Sequence, residues 1–151
     1  MHCKSVSKYF SISQCKFKAL RRGITEVTVE ITVLRKPINN ATVRGEVRKR
    51  GVETGKPLMD FQIDACAFQR NKNRNVIANL VYQFMGLEKW SNMNHTCPYN
   101  HDLLLKQYPF NGWTMGKLVP LPLGHYTVTT FWASYNMDGV QVDVYFELYE
   151  K

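Results

Sequence analysis

The feature that most constrains the fold is the strict alternation of apolar and polar residues in several short segments. In TEVTVEITV (25–33), every second residue from Val27 to Val33 is apolar, and the residues between them are glutamate or threonine. Because neighbouring side chains on a β-strand point to opposite faces, this pattern buries one face and leaves the other in water. Segments 41–50 and 58–66 alternate in the same way, with turn-forming residues between them. These three segments are predicted to form an antiparallel meander.

Other segments extend the chain of short strands. Residues 8–20 have mixed faces, and DLLLKQ (102–107) is a short strand candidate. Residues 124–135 and 139–149 are strand candidates on either side of NMDG (136–139), whose Asp-Gly pair is typical of a hairpin turn. Together these patterns predict a mainly β protein.

One segment departs from the strand pattern. In RNVIANLVYQFMGLEKW (74–90), apolar residues recur at intervals of three and four, as on the buried face of a helix. This segment is expected to be one α-helix inserted between strands. Because the strands are regularly spaced, without an internal repeat or linker, a single domain (1–151) is predicted, built as a two-layer antiparallel sandwich or an open barrel.

The four cysteines suggest two disulfides. Cys3, Cys15, Cys66 and Cys97 allow three pairings, and the sequence alone does not choose among them. We favour Cys3–Cys15 with Cys66–Cys97, since the second bridge would close a loop of about thirty residues around the predicted helix.

Neither a metal site nor a catalytic site is indicated. Zinc sites normally contain a pair of closely spaced ligands, whereas the chain has no C-x-x-C, and His95 and His101 flank Cys97 without a second cysteine nearby. The G-x-S-x-G and H-E-x-x-H motifs are absent, and no spacing supplies a partner to His125. We therefore expect a protein without enzymatic activity, metal or cofactor.

Two N-x-T sequons, at Asn40 and Asn94, fall in predicted loops. With an even number of cysteines, they favour glycosylation and secretion into an oxidising, extracellular compartment. No signal peptide is visible, so the chain is expected to be a mature form, and no apolar run approaches the roughly eighteen residues of a membrane span. Within NHTCPYNHD (94–102), His101 and Asp102 are expected to bind local backbone groups of a turn.

The formal net charge of +8 raises the question of a polyanionic partner. Basic residues cluster in RKR (48–50) and RNKNR (70–74), but neither cluster lies in a nucleic-acid motif. Solvated loops account for them, and attraction to an anionic membrane surface or a sulfated glycan is the alternative. Nucleic acid is not expected to be a partner.

The chain has more large apolar side chains than a thin core requires. A large core explains them as well as a ligand cavity does. If a cavity exists, its mouth is expected near the 74–90 helix and the 108–118 loop. The candidate pocket residues are Phe84, Trp90, Tyr108, Phe110, Trp113, Met115, Phe131 and Trp132.

Several longer motifs follow one another in a specific order. They are the spaced cysteine pair C…QCKFKAL (3–20), TVEITVLRKPINNATVRGEV (28–47), FQIDACAFQRNKN (61–73), NMNHTCPYNHDLLLK (92–106) and VPLPLGHYTV (119–128). This order resembles an insect family of secreted proteins catalogued as domain of unknown function 1091, which includes the chemosensory CheB proteins. That family is in turn similar to the ganglioside activator protein and the ML lipid-recognition superfamily.

The resemblance implies an immunoglobulin-like β-sandwich whose two sheets form a cup around a lipid. The implied function is that of a secreted carrier of a hydrophobic ligand, such as a lipid, a fatty acid or a hydrocarbon pheromone, with a role in contact chemosensing. The alternative is an extracellular adaptor that modulates a receptor or channel through a surface patch.

Overall fold

The computed structural model describes residues 2–52, 54–118, 121–134 and 137–149. The description excludes the side chains of Ile77, Val81, Phe84, Met85, Met115, Gly116, Leu118, Met137 and Asp138. The strands are β1 (His2–Ser5), β2 (Phe10–Arg21), β3 (Ile24–Val33), β4 (Thr42–Lys49), β5 (Met59–Asp64), β6 (Leu103–Asn111), β7 (Gly124–Ser134) and β8 (Met137–Leu148). The α-helices are α1 (Ala65–Arg70), α2 (Val76–Met85) and α3 (Gly112–Leu118), and short 3-10 helices span Lys72–Arg74 and Leu87–Lys89.

The strands form two antiparallel sheets that pack face to face, which confirms the predicted mainly β sandwich. One sheet has the strand order β1-β8-β7-β4-β5, and the other has the order β2-β3-β6. The strand pairs follow the predicted alternation, so the apolar face of each strand points towards the opposite sheet. The strand predicted at 102–107 is longer than expected and continues to Asn111.

The core lies between the two sheets. It is built from the inward-facing residues of both, which interdigitate as in other sandwiches. The largest buried cluster contains Val27, Val29, Ile31, Val47, Tyr108, Phe110, Tyr126, Val128, Val140, Val142, Phe146 and Leu148. A smaller cluster of Val33, Ile38 and Tyr99 closes one end.

The predicted meander is confirmed for β4 and β5, which pair antiparallel, but it is wrong for β3, which belongs to the other sheet. β3 pairs with β2 and β6, whereas β4 pairs with β5 and β7. The segment 34–41 crosses from one sheet to the other, and its residue Ile38 is buried and forms a β-bridge with Tyr99. Alternation specifies which face of a strand is buried but carries no information about its neighbour.

The helical insertion is present but is shorter and more divided than predicted. The 74–90 segment contains α2 and the 3-10 helix Leu87–Lys89, separated by Gly86, whose φ of 68° ends α2 in the left-handed region. The structure also contains the shorter helices α1 (6 residues) and α3 (7 residues), which were not predicted, and α2 with 10 residues is the longest of the three. Neither α1 nor α3 has more than two turns, too few for a periodic pattern to show. No helix in the described part of the chain is both long and apolar enough to span a membrane.

Both favoured disulfides are present. Cys3–Cys15 joins β1 of the five-stranded sheet to β2 of the three-stranded sheet, so it links the two layers covalently. Cys66–Cys97 joins α1 to the segment that precedes β6, and it therefore ties together both ends of the helical insertion.

Asp102 forms a longer-range contact than the local turn contact predicted for it. Its Oδ1 accepts hydrogen bonds from the Val33 backbone N–H at 2.9 Å and from Lys36 Nζ at 3.2 Å. These contacts join the start of β6 to the end of β3. The bond from Val33, and then the bond from Lys36, hold the pKa of Asp102 below its ordinary value of 3.8.

We predict that Asp102→Asn flattens the acid end of the stability profile. A carboxylate whose pKa is lowered by folding contributes stability that is complete above the pKa of the unfolded chain. That contribution is lost as the pH falls below 3.8 and through the lowered folded-state value. Urea unfolding at pH 6 and at stepwise lower pH should therefore show a smaller loss of stability on acidification in the variant.

Asp60→Asn, on the exposed edge strand β5, is the matched control for the removal of a surface carboxylate and is measured in the same unfolding series. Parallel acid profiles for the wild type and Asp102→Asn would contradict the assignment.

Candidate ligand-binding cleft

A cleft of about 390 Å³ opens between the two sheets at one end of the sandwich. It lies where β2, β6 and β8 end and where β3 and β7 begin, so both layers contribute to it. Its lining residues are Ala19, Arg21, Gly23, Thr25, Arg50, Phe110, His125, Tyr145, Phe146 and Glu147. A volume of this size falls within the range of small-molecule sites.

The inner wall of the cleft is aromatic. Phe110 on β6 and Phe146 on β8 face each other across the layers, with ring centroids 5.9 Å apart, and both are buried. Phe146 also stacks on Tyr126, at 5.5 Å. These rings close the cleft towards the core, so a ligand there would meet an apolar surface at its inner end.

The outer part of the cleft is charged. The two carboxylate oxygens of Glu147 contact Arg22 Nε at 3.1 Å and His125 Nε2 at 3.3 Å, so this carboxylate already has partners. The guanidinium of Arg50 lies 4.5 Å from the centre of the Tyr145 ring. Among the described residues, neither Arg21 nor Arg50 has a carboxylate in salt-bridge contact. The rim therefore presents two guanidinium groups to an incoming anion.

A second apolar surface lies on edge strand β5. The inner face of the five-stranded sheet extends beyond the three strands that cover it, and the inward-facing Met59 and Phe61 remain 39% and 40% exposed. Phe61 lies across Gly45 on β4, where a Cβ atom would overlap its ring. Glycine at this position lets the aromatic ring cover the sheet, although nothing described covers the ring.

Two of the predicted pocket residues, Tyr108 and Phe110, lie on β6 and are buried between the sheets. Phe110 lines the cleft, and Tyr108 does not. Burial raises the pKa of the Tyr108 hydroxyl to about 12. Trp113, in the first turn of α3, packs edge-on against Tyr149, with centroids 5.3 Å apart. The 108–118 segment, predicted to be a loop, consists of the end of β6 and of α3, and Phe110 is the residue of this segment that lines the cleft.

The other predicted pocket residues lie elsewhere. Trp132 faces inward and packs against the core. Its neighbour Phe131 faces outward beneath the guanidinium of Arg44, which lies 4.3 Å from the ring centre, so the prediction that Phe131 lines a pocket between the sheets was wrong. Trp90 is 37% exposed beside β6 and does not line the cleft. The side chains of Phe84 and Met115 lie outside the described part of the chain. The predicted mouth near the 74–90 helix does not coincide with the cleft.

The cleft contains residues that the sequence did not indicate. Ala19 and Phe146 lie on strands whose inward faces alternation could have identified. Arg21 and Arg50 lie at or just beyond the ends of β2 and β4, where basic residues are common and carry no pattern. Their convergence depends on strand pairing, which the sequence pattern did not specify.

Both sequon asparagines are exposed at the surface, away from the cleft lining. The backbone carbonyl of Asn40 accepts a hydrogen bond from Ser134 Oγ at 2.8 Å. The side-chain Oδ1 of Asn94 accepts hydrogen bonds from Lys72 Nζ at 3.0 Å and from the Tyr82 hydroxyl at 3.2 Å. Neither side chain is buried in a way that would prevent a glycan from projecting into solvent.

Comparison with known proteins identifies a family. A family model described as "Protein of unknown function (DUF1091)" matches residues 43–128, which is more than half of the chain. The match runs from β4 to the first half of β7 and includes the helical insertion and β6. No curated protein matches the sequence significantly. The more distant similarity to the ML lipid-recognition superfamily stays a prediction.

Proposed function

The chain belongs to the DUF1091 family, whose function is unknown, and we propose a function from the structure itself. It is a secreted, non-enzymatic binding protein that holds a hydrophobic ligand between its two sheets. The observation that carries the proposal is the interlayer cleft, to which both sheets contribute and in which Phe110 and Phe146 form an apolar inner wall. Removal of a ligand's apolar surface from water at about 25 cal/mol per Å² would supply the affinity.

The charged rim narrows the class of ligand. Arg21 and Arg50 line the outer part of the cleft, and a guanidinium binds a carboxylate through short, charge-assisted hydrogen bonds. Among the predicted ligands, a fatty acid fits this arrangement better than a hydrocarbon, since its apolar chain would meet the aromatic wall and its carboxylate would meet the arginines.

Two further features support an extracellular location. The two disulfides are characteristic of proteins that fold in an oxidising compartment. The exposed Asn40 and Asn94 are accessible for glycosylation. The chemosensory role implied by the sequence resemblance is part of the same proposal and depends on the identity of the natural ligand.

We predict that Ala19→Trp blocks ligand uptake. Ala19 faces the cleft from edge strand β2, so an indole there would occupy the space proposed for the ligand without replacing a core side chain. Because the indole would take up space that the ligand needs, displacement of a fluorescent fatty acid should show an affinity at least about tenfold weaker, which corresponds to about 1.4 kcal/mol. Gln14→Trp, on the outer face of the same strand, is the matched control and should bind as the wild type does.

The same assay tests the head group. A fatty acid should compete with the probe more strongly than the fatty alcohol of equal chain length, because only the acid carries a carboxylate for Arg21 and Arg50. Equal competition would remove the proposed role of the arginines but leave the apolar site in place. Unchanged binding in Ala19→Trp would place the ligand outside the cleft and contradict the proposed site.

The exposed edge of β5 favours a second function, that of an extracellular adaptor. Leu58, Met59 and Phe61 are exposed there, and an edge strand with apolar side chains is a common docking surface for another protein. Native mass spectrometry of the protein purified from its own secretion separates the two functions. A co-purifying lipid supports the carrier, and a lipid-free protein that still binds its receptor supports the adaptor.

A further inference from the structure

The segment between the helical insertion and β6 brings two histidines together. His95 Nδ1 lies 2.8 Å from the backbone oxygen of Thr96, and His101 Nδ1 lies 2.8 Å from the backbone oxygen of Asp102. A carbonyl oxygen can only accept a hydrogen bond, so each Nδ1 carries the proton and donates it. The Asn92 amide nitrogen lies 3.4 Å from His101 Nδ1, but it donates at 2.8 Å to the Asp102 carbonyl oxygen instead. Each neutral ring therefore has its lone pair on Nε2.

Those two Nε2 atoms face each other at 2.7 Å. The lone pairs of two unprotonated nitrogens repel each other at this distance unless a cation lies between them. We propose that His95 and His101 form a binding site for a divalent late first-row transition-metal ion, with Zn²⁺ and Cu²⁺ as the ions of best fit.

The arrangement has the features that orient histidines for metal binding. In most metal sites, the histidine nitrogen that does not bind metal donates to a carbonyl or carboxylate, which fixes the tautomer and the direction of the ring. Both rings already have this second contact. With Zn–N distances of about 2.0–2.1 Å in a tetrahedral site, the two Nε2 atoms would lie about 3.3 Å apart, so the rings need to separate by only about 0.6 Å.

The surrounding fold holds the pair in place. Tyr99 lies between the two histidines in the sequence, and its side chain is buried. Its ring contacts both imidazoles edge-on, with centroid distances of 4.8 Å to His95 and 5.9 Å to His101. The backbone N–H groups of Tyr99 and Ile38 each donate a hydrogen bond to the carbonyl oxygen of the other residue, and Cys97 forms a disulfide with Cys66. The rings therefore project from a short segment that is fixed at its centre.

No third protein ligand joins the two histidines among the described residues. The described chain contains no group of three or more His, Cys, Asp or Glu side chains that could hold a metal. The carboxylate of the adjacent Asp102 is directed at Val33 and Lys36 instead. Water or a donor from another molecule would complete the coordination, as in sites that keep exchangeable positions.

The test is metal titration of the full-length protein without a polyhistidine tag. Isothermal calorimetry with Zn²⁺ and Cu²⁺ should show saturable binding of one ion per chain, whereas Mg²⁺, which prefers oxygen ligands, should not bind at the same concentrations. His95→Gln and His101→Gln should each weaken binding by at least about tenfold. His125→Gln, whose ring contacts Glu147 at the opposite end of the sandwich, is the matched control and should bind as the wild type does.

A second readout does not depend on the folding of the variants. In wild-type protein, diamagnetic Zn²⁺ should shift the NMR signals of His95 and His101 selectively among the 4 histidines. The absence of saturable Zn²⁺ and Cu²⁺ binding would overturn the proposal. So would binding that survives His95→Gln with His101→Gln, or Zn²⁺-induced shifts confined to His2 and His125.

Discussion

Removal of the Cys66–Cys97 disulfide by Cys66→Ala with Cys97→Ala is expected to lower the free energy of unfolding by about 4 kcal/mol. The bridge spans 31 positions of sequence, and without it the unfolded chain gains the conformational entropy of a loop of that length. Both cysteines are replaced so that no free thiol can form new disulfides. Urea unfolding followed by tryptophan fluorescence measures the change.

Cys3→Ala with Cys15→Ala is the matched comparison. This bridge spans 12 positions, and the same loop-entropy relation gives about 3 kcal/mol. The longer loop should therefore give the larger loss. A loss below about 1 kcal/mol for the Cys66–Cys97 pair would show that the unfolded chain is not restrained by this bridge.

Phe146→Ala should be comparably destabilising, with a loss of about 3–5 kcal/mol. Phe146 is only 7% exposed, and its ring contacts Phe110 across the layers and Tyr126 on the neighbouring strand. Truncation removes the favourable transfer of a large apolar side chain and leaves a cavity that the rigid sheets cannot fill. Chemical unfolding at fixed pH and temperature provides the measurement.

Phe131→Ala is the internal control for this prediction. Phe131 is on the adjacent strand, but its ring lies on the outer face beneath Arg44, so its removal creates no interlayer cavity. Its loss should be well below that of Phe146→Ala. Equal losses would mean that the packing between the layers contributes no more to stability than an outer-face contact does.

The fold class could be predicted because β3 and β8 repeat one physical signal. Each strand has one face against the opposite sheet, so its sequence alternates regularly. The same signal failed at β5, where Met59 and Phe61 have the pattern of a buried face but remain partly exposed. Alternation indicates which side chains face the inner side of a sheet, but it does not indicate whether the opposite sheet extends far enough to cover them.

The candidate site was harder to predict than the fold. Phe131 and Trp132 are adjacent in sequence and were both assigned to a pocket, although consecutive strand residues must face opposite sides. Arg21 and Arg50 come from different sheets and line one cleft only because the sheets pack with the ends of β2 and β4 at the same end of the sandwich. The His95–His101 contact depends on the carbonyl groups that fix both tautomers, which no spacing rule reports.

The Cys3–Cys15 bond has a mechanical consequence for ligand entry. It fastens an edge strand of one sheet to an edge strand of the other, so the two layers cannot part along that side while the bond is intact. On the opposite side, the Cys66–Cys97 bond links the chain after β5 to the chain before β6, so that side is held at the end where β5 finishes and β6 begins. Any widening must then be largest at the other end of that side, where β5 begins and β6 ends. A molecule too bulky for the resting gap would be admitted at that corner, and chemical reduction of the Cys3–Cys15 bond would remove the restraint on the other side.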